Sequence, residues 1–158
     1  MKFFSISHTI TEKDINQFHY PNQRLAVIAH IENEKGEILL QQRGPSSRDE
    51  NGLYEDIAGG VEEYDSSYKD ALKRELKEEV GDKVKLDIKN TLGLYHSCKG
   101  GINWIFIVYF VKYKEGEFEI IEKDKCQGYR FFSYEELLSS PYVTDSCKVL
   151  TKGIKEQS

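Results

Sequence analysis

Arg74-Glu75-Leu76-Lys77-Glu78-Glu79-Val80-Gly81 is the stretch whose reading decides the fold of this chain. Glu75, Glu78 and Glu79 stand at i, i+3 and i+4, so on a helix their carboxylates leave from one side. Tyr68, Leu72, Leu76 and Val80 recur every four positions and give the same helix a core-facing stripe. The acids therefore border the core and do not occupy the remote solvated face. As mere surface the arrangement is unfavourable. Glu75 and Glu79 form a like-charge i,i+4 pair, which costs about 0.2–0.5 kcal/mol. An acid in the final turn also opposes the negative end of the helix dipole, at roughly 0.3–1 kcal/mol. Lys73 and Lys77 are themselves a like-charge pair, so each sign is segregated. A divalent cation among the carboxylates turns the repulsion into coordination by hard oxygen ligands, the preference of Mg²⁺.

The spacing predicts a helix capped by Asp65 or Ser66 and running to about Val80, with Gly81 just beyond its end. Upstream, residues 24–31 and 38–42 read as strands joined by Asn33-Glu34-Lys35-Gly36, a hairpin turn in which Gly36 is free to take φ > 0. Residues 43–56 read as a polar surface loop. The stretch from Tyr54 to Val61 ends in Ala58-Gly59-Gly60, where backbone can approach a ligand closely. Downstream, residues 84–95 and 102–112 are expected strands. The second is apolar through 104–111, as in a central strand covered on both faces. Shorter strands are expected at 117–121 and 129–132. Ser133 and Glu136 match a capping box ahead of Leu137-Leu138, and Cys147, Leu150 and Ile154 fit one face of a C-terminal helix. Strands interleaved with a few helices describe a mixed α/β layered fold, read as a single domain over residues 1–158.

Composition narrows the function. A formal net charge of −5, with no basic stripe, argues against non-specific grip on nucleic acid. The same charge suits a site that gathers divalent cations. Cys98, Cys126 and Cys147 lack metal-ligand spacing and read as reduced thiols of a cytoplasmic protein. The opening residues are not a convincing signal peptide. The longest apolar run, Trp104 to Val111, is far short of the roughly 20 residues that span a bilayer as a helix, so no membrane partner is expected.

Residues 60–82 resemble the signature of the Nudix hydrolase family, G-x5-E-x7-R-E-U-x-E-E-x-G-U, where U is a bulky aliphatic residue. Gly60, Arg74, Glu75, Leu76, Glu78, Glu79 and Gly81 stand at matching positions, while Ser66 replaces the first glutamate and Asp82 the final aliphatic. Leu39-Leu40-Gln41-Gln42-Arg43 and the segment from Gly128 to Leu137 also look like family elements, so the resemblance covers about residues 24–138. It implies a Nudix-type α/β/α sandwich with a mixed sheet and a loop-helix motif. By position it implies that Glu78 and Glu79 ligate the metal, that Glu75 is a further ligand or helps activate water, and that the Gly59 carbonyl completes the shell. Arg74 then orients the glutamates through charge-assisted hydrogen bonds. Ser66 can cap the helix but cannot reproduce a carboxylate's charge. Either Arg74 is held less firmly, or Glu62, Glu63 or Asp65 takes over.

The reaction this implies is attack of water on a phosphoanhydride, in a nucleoside diphosphate linked to another moiety or in a nucleoside triphosphate at its α–β linkage. The cofactor is Mg²⁺, with Mn²⁺ as a substitute. Glu75 is the favoured helix-borne base, with Glu122 and Asp124 as loop candidates outside the signature. Arg43 and Arg48 are candidate phosphate contacts, since guanidinium offers bidentate donors. Tyr54, with Tyr95 and Trp104, is a candidate for stacking on a base. Two rival readings stay open: a (d)NTP pyrophosphatase that sanitises nucleotide pools, suggested by residues 122–129, and a non-catalytic sensor of the same fold, suggested by Ser66. Homodimers are frequent among similar proteins, and one is an expectation here.

Overall fold

The computed structural model describes residues 1–47 and 51–157. Two long, largely apolar strands form its centre. β2 (Gln23–Glu32) and β7 (Ile102–Gly116) run parallel, in register from Gln23↔Asn103 to Glu32↔Lys112. Such a pair is covered on both faces, and alternate residues serve different layers. Val27, Ala29, Ile31, Ile105, Ile107 and Val111 enter one core; Ile28, Val108 and half-buried Phe106 enter another. β6 (Val84–Lys99) pairs antiparallel with β7, and β1 (Lys2–Ser5) pairs with β6 to form one edge. On its other flank β2 forks. It meets β3 (Ile38–Arg43) only at Glu32↔Ile38, and β5 (Ile57–Gly60) from Ala26↔Gly60 to Ala29↔Ile57. β4 (Tyr54–Glu55) and β8 (Cys126–Phe132) both pair with β3, completing a mixed eight-stranded sheet.

Helices cover both faces. α2 (Tyr68–Val80) buries Ala71, Leu72, Leu76 and Val80 in the first core, which also takes Ile15 of the short α1 (Glu12–Ile15). Each fully buried leucine contributes roughly 1.5–3 kcal/mol. On the opposite face α3 (Tyr134–Ser139) packs Leu137 against Ile38, Leu40 and Phe132, and α4 (Asp145–Glu156) packs Leu150 and Ile154 against Ile28, Tyr95 and Val108. The result is the α/β/α sandwich that the resemblance implied. No helix among the described residues is long and apolar enough to cross a membrane.

Several expectations are met closely. The turn after β2 has Gly36 at φ 76°, Ser133 and Glu136 form their reciprocal cap, and α4 presents Cys147, Leu150 and Ile154 inward. Others are corrected. α2 is capped by Ser67, whose Oγ accepts from Asp70 N at 3.1 Å, and not by Asp65 or Ser66. Residues 117–121 form no strand. Glu117 N and Glu119 N donate to the carbonyls of Lys83 and Val80, and Phe118 stacks among Tyr113, Tyr129 and Phe131, so the segment is tied to the end of α2 by caps and rings. β4 interrupts the loop expected over 43–56, and β6 and β7 extend to a tight turn at Gly100-Gly101, both at positive φ.

Candidate functional site

The middle of α2 is bound to the loop before the helix through one side chain. The Arg74 guanidinium grips Asp65 in a fork, Nε to Oδ1 at 3.0 Å and Nη2 to Oδ2 at 2.9 Å, and its Nη2 also donates to the Gly60 carbonyl at 3.0 Å. Asp65 Oδ2 accepts in addition from Glu62 N at 2.8 Å. The fork holds the Asp65 carboxyl below its ordinary range, the Arg74 bonds acting most and the Glu62 amide next. Of the residues able to stand in for the missing glutamate, Asp65 is the one that meets the guanidinium. Ser66 is exposed. Arg74 Nη1 points the other way, to Glu75 Oε1 at 2.9 Å and Glu78 Oε2 at 3.4 Å. One planar group thus links the loop, the glycine backbone and two of the helix acids.

Glu75 lies against β5 where a side chain is missing. A Cβ built on Gly59 stands 1.9 Å from Glu75 Cδ, so the carboxyl occupies the space a side chain at 59 needs. Burial raises the Glu75 pKa, with Arg74 opposing the rise and Glu78 adding to it. Glu79 is more strongly affected: burial first, then the charges of Glu75 and Glu122, push it up to about 7. Glu122 therefore belongs to the same acidic cluster, while Asp124 is held away by Ser46, whose Oγ donates to its Oδ2 at 3.2 Å. Among the described residues no three His, Cys, Asp or Glu side chains are gathered into a ready coordination cage. The donor set still fits a hard divalent cation: Glu75 and Glu79, half-buried with raised pKa values, repel one another beside the Gly59 backbone, and an oxygen-preferring ion relieves that repulsion.

On the far side of β5 opens a cavity of about 260 Å³ between the sheet and α4. Ala26 and Ile28 of β2, Ala58, Gly59 and Gly60, and Tyr95, Trp104 and Phe106 form its apolar walls. Trp104 and Phe106 lie nearly parallel, with ring centroids 6.1 Å apart. Tyr95 is fully buried and its hydroxyl is tied to Ser146. Arg43 and Glu55 are partly exposed at the rim and paired at 2.7 Å. Asp56, 7% exposed, lies at the floor. Gly59 and Gly60 line this cavity while Glu75 touches Gly59 from the other face, so at these two glycines only backbone separates the aromatic cavity from the acidic helix.

The residues singled out in the sequence are thus sorted by position. Arg74, Glu75, Glu78, Glu79 and Gly59 come together at one edge of the sheet. Arg43, Tyr95 and Trp104 reach the cavity. Tyr54 does not line it; its ring packs edge-on against Phe132 at 5.0 Å in the core under α3 and α4. Arg48 lies outside the described residues. Asp56, Ser97, Lys99 and Phe106 line the cavity without having carried any sequence signal, because they come from distant strands and share no spacing.

Fold and site together define a Nudix-type sandwich with its loop-helix motif. The NUDIX domain family model matches residues 22–152, and the chain belongs to that family. A segment of 71 residues is 45% identical to the CTP pyrophosphohydrolase of Escherichia coli (strain K12), covering 45% of this chain and 47% of that protein, less than half of its length. The fold is similar to that of the MutT protein from Methanosarcina mazei Go1, with TM-score 0.75 and 24% identity over 89% of this chain and 97% of the other. It is also similar to the E. coli ORF135 protein, with TM-score 0.67 and 28% identity over 85% and 90% of the two chains.

Proposed function

We propose that this protein hydrolyses a nucleoside triphosphate at its α–β linkage, releasing a nucleoside monophosphate and pyrophosphate, with water as nucleophile. The observation that carries the reading is the single glycine strand between the aromatic cavity and the acidic helix. A base seated against Trp104 and Phe106 leads its phosphates past Gly59–Gly60 toward Glu75, Glu78 and Glu79. The partial likeness to a CTP pyrophosphohydrolase supports the triphosphate over a nucleoside diphosphate linked to another moiety.

Glu75, Glu78, Glu79 and the Gly59 carbonyl would hold divalent metal, Mg²⁺ or Mn²⁺, which when bound neutralises phosphate oxygens and acidifies water. Glu75 takes the proton of the attacking water; burial raises its pKa, which makes it a better proton acceptor than an exposed carboxylate. Arg74 fixes the rotamers of Glu75 and Glu78, so the acids do not have to be ordered at the moment of reaction. Arg43 at the cavity rim supplies a bidentate contact to phosphate by exchanging its Glu55 partner. Free Cys98, Cys126 and Cys147 support work in the reducing cytoplasm. Assembly as a homodimer is part of the same reading and is measured by sedimentation.

A panel of nucleoside triphosphates and linked nucleoside diphosphates, with Mg²⁺ and Mn²⁺ and products resolved, tests the proposal. Pyrophosphate with monophosphate is expected from the triphosphates. Glu79→Gln should lose at least ~100-fold in activity, the upper end of what removing even a supporting partner of a metal ligand costs. A folded wild-type protein that releases neither product set, or an unimpaired Glu79→Gln variant, refutes it.

A further inference from the structure

Asp56 is a carboxyl of the cavity that the hydrolytic chemistry leaves unused. It sits between β4 and β5, faces α4, is 7% exposed and lines the cavity floor. The Cys147 thiol lies beside it, yet Oδ1 has no partner, which is unusual for a buried polar atom. His30 Nδ1 is the other buried atom without a partner among the described residues. The two are not bonded to each other, and His30 does not line the cavity, while Asp56 does. His30 is otherwise engaged through Nε2 with Glu32 Oε2 at 2.7 Å. Asp56 thus lines the cavity and carries one buried carboxyl oxygen without a partner.

The chemistry of a pyrimidine nucleotide says which group arrives there. With the sugar at the mouth, beside the glycines and the acidic helix, the ring enters with its C4 substituent leading, because C4 lies opposite the glycosidic nitrogen. That substituent is an amino donor in cytosine and a carbonyl acceptor in uracil. We infer that Asp56 is a specificity-determining residue: its carboxyl, which lines the cavity and holds an unmet acceptor, accepts a hydrogen bond from the exocyclic amine of a cytosine nucleotide and sets the protein against the keto base. Uracil brings acceptor against the carboxylate, and both are left buried without a donor. The inference rests on the proposed nucleotide cavity and deepens it. The rival account, a water held between Asp56 and His30 for structural reasons, requires no preference between bases.

Metal-free calorimetry with CMP and UMP tests it apart from hydrolysis. Wild-type protein is expected to bind CMP about tenfold to hundredfold more tightly than UMP, the effect of leaving one buried hydrogen-bonding group unmatched. Asp56→Asn, whose amide can turn to donate, should shrink the ratio below about threefold. A ligand-side control needs no variant: N4,N4-dimethyl-CMP, which has lost the amine donors, should bind wild-type protein no better than UMP. Equal binding of CMP and UMP overturns the inference, as does a preference that survives in a folded Asp56→Asn protein. Failure of both monophosphates to bind overturns it too, while pyrophosphate release in the triphosphate panel tests the hydrolase reading separately.

Discussion

Adding a single methyl group at Gly59 should disable the site while leaving the fold in place. The Cβ of Gly59→Ala would stand 1.9 Å from Glu75 Cδ and 2.2 and 2.4 Å from its carboxyl oxygens. Nonbonded carbons rest at about 3.5 Å or more, so the carboxyl must retreat by roughly 1.6 Å. A misplacement of about 1 Å can cost ~100-fold in rate, and the expected loss in kcat is at least that large. The fold should tolerate the change. Gly59 lies in a regular strand paired with Val27, is not at positive φ, and meets only the far end of a side chain that can swing away. The Tm is then expected to move by less than about 4 °C, the shift of one kcal/mol in a protein of this size. Gly60→Ala is the matched control, because its Cβ finds nothing nearer than Glu62 Oε1 at 3.9 Å. Steady-state kinetics, Mn²⁺ titration and thermal melts on both variants decide the matter. Near-wild-type turnover in Gly59→Ala, or an equal loss in Gly60→Ala, refutes the contact between Glu75 and the bare backbone as the basis of the site.

Asp65→Ala frees the Arg74 fork and should lower activity or metal affinity about 10–100-fold, as loss of a supporting partner does. Adding Ser66→Glu should restore part of the loss, and metal-activation curves of single and double variants check this. Glu79, raised from 4.5 to about 7 in the folded chain, binds its proton more tightly folded than unfolded. Its contribution to stability is therefore fully present below about pH 4.5 and lost as pH rises through about 7; melts of metal-free protein should decline over that window, and less so in Glu79→Gln. For the same reason Mn²⁺ affinity should rise by up to about tenfold per pH unit below 7, as one proton is displaced, and level off above it; a pH-independent affinity contradicts the assignment. Trp104→Ala removes a stacking wall, at about 1–3 kcal/mol per base, and should raise KM for triphosphates with the metal-activation curve unchanged.

What could be read in the sequence divides along the range of the interactions. The helix over 68–80 was legible because its apolar period and its acids are local facts, and Glu75, Glu78 and Glu79 follow from the same count of residues per turn. The cavity was not. Ile28, Tyr95, Trp104, Phe106 and Cys147 meet only because β2, β6 and β7 align in one sheet beneath α4, and no spacing between them records it. Residues 117–121 misled because alternation predicts a strand without knowing where its backbone donors will find carbonyls, here at Val80 and Lys83. β1 was silent, as a short edge strand whose partner lies some ninety residues away, Lys2 facing His96. Position 66 shows the limit most clearly. On a helix, moving an acid by one residue turns it by about 100° and ends its contact. Position 65 lies in the loop before the Ser67 cap, where the chain turns on its own hydrogen bond from Asp65 N to the Glu62 carbonyl, and that turn aims Asp65 at Arg74. The guanidinium needs a carboxylate within reach of its fork, and a loop can deliver one from a neighbouring position. The departure at Ser66 therefore changes which residue holds Arg74, not whether it is held.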